Sequence, residues 1–372
     1  MDRLKPLEHR IKAAFFRLFK RWLKRGQVDF KPLDGTKLQK VLFLRPEKIG
    51  DMVISFPVFD GLHAQYPHIR ISILGSPRNY AIIKNDPRFD RIFLYTKKVF
   101  KDIKTIMAMR REKYDCVVDM ICDDSVTALF LSQMCAPGKP RIGVGKIKYR
   151  DYYDFNYDHR MGNTGHIIEN TLKLLEAFDI DSGQVSGYAA PYVDSAAAER
   201  AEKFINSIAD GDSSAVMVGY NLSAGSPTRV WAQEKSIELV RRLIDSDRRF
   251  RVILFTTPAE RDRGTKILER FDSHVYIVPD GLNLMEASAV LKRFHILISP
   301  DTSMVHIARA YRVDVVGLYS RFMKNFLLWK PYDQEVGAVV SGNDDNIHDI
   351  TPEAVFEVFQ QVLATREAVI RR

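Results

Sequence analysis

From about Gln39 onward, short apolar runs alternate with stretches whose apolar positions follow a three-to-four-residue period. The runs predict strands at Val41–Arg45, Ile71–Leu74, Arg91–Leu94 and Cys116–Met120, then at Ala215–Gly219, Arg251–Phe255, Val275–Val278, His295–Ser299 and Val313–Tyr319. The periodic stretches predict helices over Asp51–Gln65, Asp102–Arg111, Ser125–Met134, Gln233–Asp245, Ala259–Arg270, Met285–Arg293 and Ser303–Tyr311. Strand and helix alternating at this spacing imply parallel sheets with helices on both faces. The segment Asp181–Ser214, which holds Gly183, Gly187, Pro191, Gly211 and a polar helix, divides the series in two. The expectation is an α/β chain of two Rossmann-like domains facing a cleft, over residues 39–190 and 213–345. A final helix, Pro352–Val369 within residues 352–372, would pack back across the junction.

The beginning of the chain has a different pattern. Leu4, Leu7, Ile11, Phe15, Leu18, Phe19, Trp22 and Leu23 keep helical spacing but are interleaved with Lys and Arg, which predicts a cationic amphipathic helix within residues 1–28. Residues 1–25 carry nine basic side chains against two acids, +7 of the chain's formal +9. Basicity therefore belongs to this arm and not to the body, which argues against nucleic acid as a partner. The charges interrupt any apolar region and no small-residue cleavage site follows, so a signal peptide is not expected. Two readings of the arm stay open: attachment to an anionic membrane face, or packing on the body.

With 372 residues, 46% hydrophobic and 28% charged, the chain can bury sizeable cores, which excludes disordered, collagenous and disulfide-scaffold classes. Cys116, Cys122 and Cys135 have no metal-ligand spacing, and a cytoplasmic setting is the default. No run of 18 or more apolar residues is present, so no helix is expected to span a bilayer. Dinucleotide, Walker A, zincin and nucleophile-elbow motifs are absent, and neither a metal nor a cofactor is expected. Three Asp-x-Asp triplets, at Asp179/Asp181, Asp210/Asp212 and Asp245/Asp247, fall in turns or helix ends.

Candidate chemistry gathers where predicted strands end, since in a doubly wound sheet the ligand crevice lies at the carboxyl ends of strands. The first strand runs into Arg45-Pro46-Glu47-Lys48-Ile49-Gly50-Asp51, where Gly50 permits close backbone approach and Asp51 is either a helix N-cap or a functional carboxylate. In the second half a strand runs into Asn221-Leu222-Ser223-Ala224-Gly225-Ser226-Pro227-Thr228-Arg229-Val230-Trp231. This loop could offer backbone N–H groups and a guanidinium to a phosphate, or could be an ordinary connection anchored by Trp231. A third segment, Pro300-Asp301-Thr302-Ser303-Met304-Val305-His306, opens a helix whose N-terminus favours anions, with His306 either at the site or packing one turn inside.

Taken together, Leu44–Pro57 (LRPEKIGDMVISFP), Asn221–Trp231 (NLSAGSPTRVW) and Pro300–Ala308 (PDTSMVHIA) resemble glycosyltransferase family 9, the ADP-heptose:lipopolysaccharide heptosyltransferases of GT-B architecture. The third stretch resembles that family's Asp-Thr-Gly-x-x-His-x-Ala. The resemblance covers roughly residues 40–340. It implies an inverting transfer of a heptose or related sugar from a nucleotide-sugar donor to a lipid-linked saccharide acceptor at the inner face of the cytoplasmic membrane. Asp51 would be the general base and Arg229 would neutralise the leaving diphosphate. Ser223, Ala224, Gly225, Glu260, Asp301, Thr302, Ser303 and His306 would bind the donor, and Arg45 and Lys48 the acceptor. Arg229 stands where the family usually has lysine, and Ser303 where it has glycine. Another nucleotide sugar with a capsule or O-antigen acceptor, or a non-catalytic membrane-associated scaffold, are the alternatives.

Overall fold

The computed structural model describes residues 20, 23, 30–157 and 165–370. The chain divides between Gly187 and Tyr188 into two compact units, each built on a six-stranded parallel sheet. In the first unit, β1 (Lys40–Leu44) leads through α1 (Ile49–Val53) and α2 (Phe56–Gln65) to β2 (Arg70–Gly75). Then follow α3 (Tyr80–Ile83), β3 (Arg91–Leu94), α4 (Val99–Arg111), β4 (Cys116–Asp119), α5 (Val126–Cys135), β5 (Arg141–Val144), β6 (Phe155–Tyr157) and α6 (Ile167–Leu172). The strand order is β3-β2-β1-β4-β5-β6. Chain direction across the sheet reverses between β1 and β4, which pair from Val41↔Cys116 to Leu44↔Asp119.

The second unit repeats this plan. Its elements are α7 (Ser195–Ala209), β7 (Val216–Asn221), α8 (Gln233–Ser246), β8 (Phe250–Phe255), α9 (Arg261–Leu268), β9 (Val275–Ile277) and α10 (Leu284–Leu291). They continue with β10 (Ile296–Pro300), α11 (Ser303–Ala310), β11 (Asp314–Tyr319), α12 (Met323–Trp329), β12 (Ala338–Val340) and α13 (Pro352–Ile370). The order β12-β11-β10-β7-β8-β9 puts the reversal between β7 and β10. Both are the Rossmann order, and ligands bind at such reversals, outside the carboxyl ends of the strands.

The strands read as near-continuous apolar runs because helices cover both faces. Val41 to Leu44 are fully buried, as are Val252 to Leu254 and Ile296 to Ile298. The expected helix over Asp51–Gln65 is in fact two helices. Pro57 has no N–H and its ring crowds the carbonyl four residues back, so α1 ends after Val53 and α2 starts afresh at Phe56. The final helix, α13, packs on α8, β11 and β12 of the second unit, with Val355, Phe359 and Val362 in that unit's core. The arm expected over residues 1–28 lies outside the described residues except Lys20 and Leu23, both helical. Leu23 is buried, and its carbonyl accepts from Arg141 Nη1 at 3.1 Å.

Candidate active site

At the reversal of the first sheet, Arg45 continues β1 and is 1% exposed, its N–H bonded to the Leu74 carbonyl of β2. A buried guanidinium must be compensated by partners. Here Nε donates to the Asp51 carbonyl at 2.9 Å, and Nη1 to Glu47 at 2.6 Å and to the Met120 carbonyl just beyond β4. Arg45 thus ties together the two loops that flank the reversal. Its Nη2 has no hydrogen-bond partner and lies 3.9 Å from Asp51 Oδ1.

Lys48, not Asp51, is the N-cap of α1. Ile49 and Gly50 already have helical conformation, so Asp51 falls at the third helical position, where its Oδ2 accepts the Lys48 N–H at 3.1 Å. Oδ1 faces the Arg45 guanidinium, and the side chain is 17% exposed. Lys48 itself is exposed. Burial pushes the Glu47 carboxyl above its usual range; the Arg45 guanidinium works against this, while the Asp51 and Asp119 carboxylates reinforce it.

The sequence reading missed a buried ion pair behind this loop. Asp119, at the carboxyl end of β4, accepts from Lys146 Nζ at 2.8 Å and Tyr153 Oη at 2.5 Å, and neither Asp119 nor Lys146 is exposed. Lys146 also donates to the carbonyls of Ile121 at 2.5 Å and Asp123 at 3.0 Å, pinning the turn after β4. An aspartate closing the apolar run Cys116–Met120 was the one local signal. Nothing local marks Lys146 as its partner.

At the reversal of the second sheet the amide of Asn221, buried at the end of β7, bridges to the facing strand. Its Nδ2 donates to Ser299 Oγ at 3.0 Å and Thr302 Oγ1 at 3.1 Å, and its Oδ1 accepts the Ser223 N–H at 3.1 Å. Thr302 is the N-cap of α11, its hydroxyl accepting from the Met304 N–H. Ser303 therefore opens the helix, with its N-terminal N–H groups directed beyond the strand ends. Arg229 reaches Asp301 twice, Nη1 to the carbonyl at 2.7 Å and Nη2 to the carboxylate at 3.0 Å, and its side chain stays 40% exposed.

Ser223 Oγ receives the Thr257 N–H at 3.0 Å and contacts Glu260 Oε2 at 3.3 Å, and the Thr257 hydroxyl donates to the same carboxylate. Glu260 is thereby brought beside Ser223, although it follows a different strand. Ala224 is half-buried and Gly225 exposed, and a Cβ at Gly225 would meet open space. His306 is buried within α11 and packs edge-on against Trp329, with ring centroids 5.5 Å apart. Trp231 is buried with its indole N–H on the Ile350 carbonyl at 3.0 Å, so it anchors the loop to the segment before α13.

These residues form two polar clusters. The first couples a half-buried carboxylate to a buried guanidinium. The second joins a hydroxyl-lined loop, a half-exposed arginine and a helix N-terminus, an arrangement suited to a polyphosphate. Among the described residues no group of three or more His, Cys, Asp or Glu could hold a metal ion, and no helix is long and apolar enough to cross a membrane.

Residues 103–357 match the family model for glycosyltransferase family 9 (heptosyltransferase). The lipopolysaccharide core heptosyltransferase OpsX of Haemophilus influenzae is 20% identical over 322 residues, 85% of this chain and 88% of that protein. Lipopolysaccharide heptosyltransferase 3 of Escherichia coli K12 is 21% identical over 309 residues, 79% and 86% of the two chains. In fold, the chain is similar to a family 9 glycosyl transferase from Veillonella parvula, with a TM-score of 0.72 and 18% identity over 91% of this chain and all of that one. It is likewise similar to Escherichia coli heptosyltransferase WaaC with ADP, with a TM-score of 0.67 and 17% identity over 89% and 99% of the two chains. The match to the family model spans most of the chain, including the second-unit cluster from Asn221 to Arg229 and from Asp301 to Ser303. The chain belongs to glycosyltransferase family 9 (heptosyltransferase) and is a sugar-transferring enzyme.

Proposed function

We propose that the enzyme transfers a heptose from ADP-heptose to a lipopolysaccharide core acceptor with inversion at the anomeric carbon. The observation that carries this reading is the bridge across the second reversal, where Asn221, Thr302, Asp301 and Arg229 hold a hydroxyl-lined loop against a helix N-terminus. Relatives named for lipopolysaccharide heptosyl transfer, and a structural neighbour with ADP, support the choice of donor and acceptor.

In the reaction the acceptor oxygen attacks the anomeric carbon as its proton passes to the Asp51 carboxylate. The new carbon–oxygen bond forms as the bond to the diphosphate breaks, and the nucleoside diphosphate leaves with the electron pair. Arg229 and the α11 N-terminus offset the negative charge that develops on the leaving group. Asp301 keeps Arg229 oriented and contacts the sugar. Ser223, Ala224 and Gly225 line the phosphates with Ser303, Glu260 takes the ribose, and His306 shapes the floor beneath α11. Arg45, being buried, positions Asp51 and does not bind acceptor directly, whereas Lys48 is exposed enough to meet an anionic saccharide. The cationic arm of residues 1–28 fits a peripheral enzyme on the inner face of the cytoplasmic membrane, where a lipid-linked acceptor would lie.

Thermal shift against ADP, UDP, GDP and their sugars tests the donor, because a ligand bound only by the folded state raises the melting temperature. ADP and ADP-heptose should give the largest shifts. Turnover with lipopolysaccharide core, followed by NMR of the new glycosidic linkage, tests the acceptor and the stereochemistry. A UDP or GDP preference, or retained anomeric configuration, would refute the reading.

A further inference from the structure

Helix α4 has two apolar faces. Its inner face, with Ile106 and Met109, packs into the core beneath β2 and β4, as expected of a helix covering a parallel sheet. Its outer face shows Val99 at 70% exposure, Phe100 at 85%, Ile103 at 49% and Met107 at 50%. Phe100, Ile103 and Met107 follow i, i+3, i+7 spacing, so they form one stripe. Single exposed apolar residues are ordinary, but a contiguous stripe on one helix marks a contact surface.

Charge identifies the occupant. Lys97, Lys98, Lys101 and Lys104 are exposed around the stripe, and Arg110 and Arg111 are exposed at the far end of the helix. The one acid within residues 97–111, Asp102, is buried and accepts from the Thr96 N–H at 2.8 Å and hydroxyl at 2.9 Å. The outer face therefore offers apolar side chains ringed by exposed cations, the composition of a helix that lies in a bilayer interface.

We propose that the outer face of α4 docks on an anionic lipid bilayer, with Phe100, Ile103 and Met107 entering the acyl boundary and the lysines facing lipid phosphates. α4 starts beyond the carboxyl end of β3, on the same sheet edge as Arg45 and Asp51. Docking there holds that edge against the surface that carries a lipid-linked acceptor. Its purpose rests on the acceptor reading above, while the binding itself is measurable without any turnover.

The test uses the full chain in sedimentation with vesicles of phosphatidylcholine alone or containing phosphatidylglycerol. Two variants are compared with the natural protein: Phe100→Ser with Ile103→Ser, and Lys97, Lys98, Lys101 and Lys104 all changed to Gln. Each should lower partitioning onto the anionic vesicles by about tenfold or more. Melting temperature and donor affinity should stay unchanged, because all these side chains are exposed. Partitioning equal to the natural protein in both variants would overturn the proposal, as would equal binding to neutral and anionic vesicles. Self-association in ultracentrifugation that Phe100→Ser with Ile103→Ser abolishes would assign the face to a second copy and overturn it too. Absence of transfer to lipopolysaccharide core by the natural protein, with its binding to anionic vesicles intact and lowered in both variants, would count against the acceptor reading alone.

Discussion

The Asn221 amide at the end of β7 donates to the Thr302 hydroxyl at 3.1 Å, and that hydroxyl also caps α11. One side chain thereby fixes the loop after β7 and the helix N-terminus relative to each other. Asn221→Ala removes both ends of this bridge and leaves the buried Ser299 hydroxyl and the half-buried Thr302 hydroxyl short of a donor. It should destabilise the second unit by about 1–3 kcal/mol and weaken nucleoside diphosphate binding. Denaturant titration and calorimetry with ADP check both, and unchanged ADP affinity would mean that the loop is set by other contacts.

For Asp51, the third helical position separates two roles. Its Oδ2 accepts from the Lys48 N–H, which an asparagine carbonyl can replace. Asp51→Asn should therefore leave melting temperature and donor affinity nearly unchanged. Loss of the proton acceptor should lower kcat by about 10² to 10⁴. Full transfer activity in this variant would remove Asp51 from the reaction.

Arg229 spends two N–H groups on Asp301 and keeps an exposed flank. Arg229→Ala should weaken nucleoside diphosphate binding by roughly 1.5–3 kcal/mol, the scale of a charge-assisted contact. Arg229→Lys should recover much of the loss, since a point charge still reaches phosphate. Calorimetry with ADP decides, and equal affinity in the alanine variant contradicts the phosphate role.

Glu47 gives a pH prediction. Its carboxyl titrates above the usual 4.5 through burial and, next, the neighbouring carboxylates, so the folded state keeps its proton to higher pH than the unfolded chain. Its contribution to stability is complete below the usual value and is lost as pH rises through the raised one. Glu47→Gln mimics the protonated form and should gain stability relative to the natural protein as pH rises from about 4.5. Paired melting curves across that range check the sign, and a constant difference would refute it.

Where both faces of a strand are covered, the sequence was readable: β1, β2, β7, β8, β10 and β11 are apolar runs whose ends fell within a residue or two. The strands that escaped notice are short or interrupted. β6 and β12 have three residues each, and β5 begins with Arg141, a residue normally read as solvent-facing. Arg141 is buried because Gln133 and the carbonyls of Leu23 and Tyr152 receive its guanidinium, partners up to 118 positions away. The burial of Arg45 and the whole of Lys146 escaped notice for the same reason. The strand-end segments holding Asp51, Arg229 and Asp301 were legible because each is continuous in sequence, whereas the partners of the buried cations Arg45 and Lys146 are not.

The bridging partners at each reversal are far apart along the chain. Arg45 and Met120 are separated by 75 residues, and Asn221 and Thr302 by 81. During synthesis the loop after β7 emerges before β10 exists to receive the Asn221 amide, so this loop waits in an unfinished sheet. Neither cluster can assemble from a local segment, and a chain cut just before Ile296 would retain the Asn221–Trp231 motif while lacking the hydroxyls that orient it. Such non-local contacts carry a loop-closure entropy cost that the rest of each sheet must offset, so each cluster depends on the sheet that holds it.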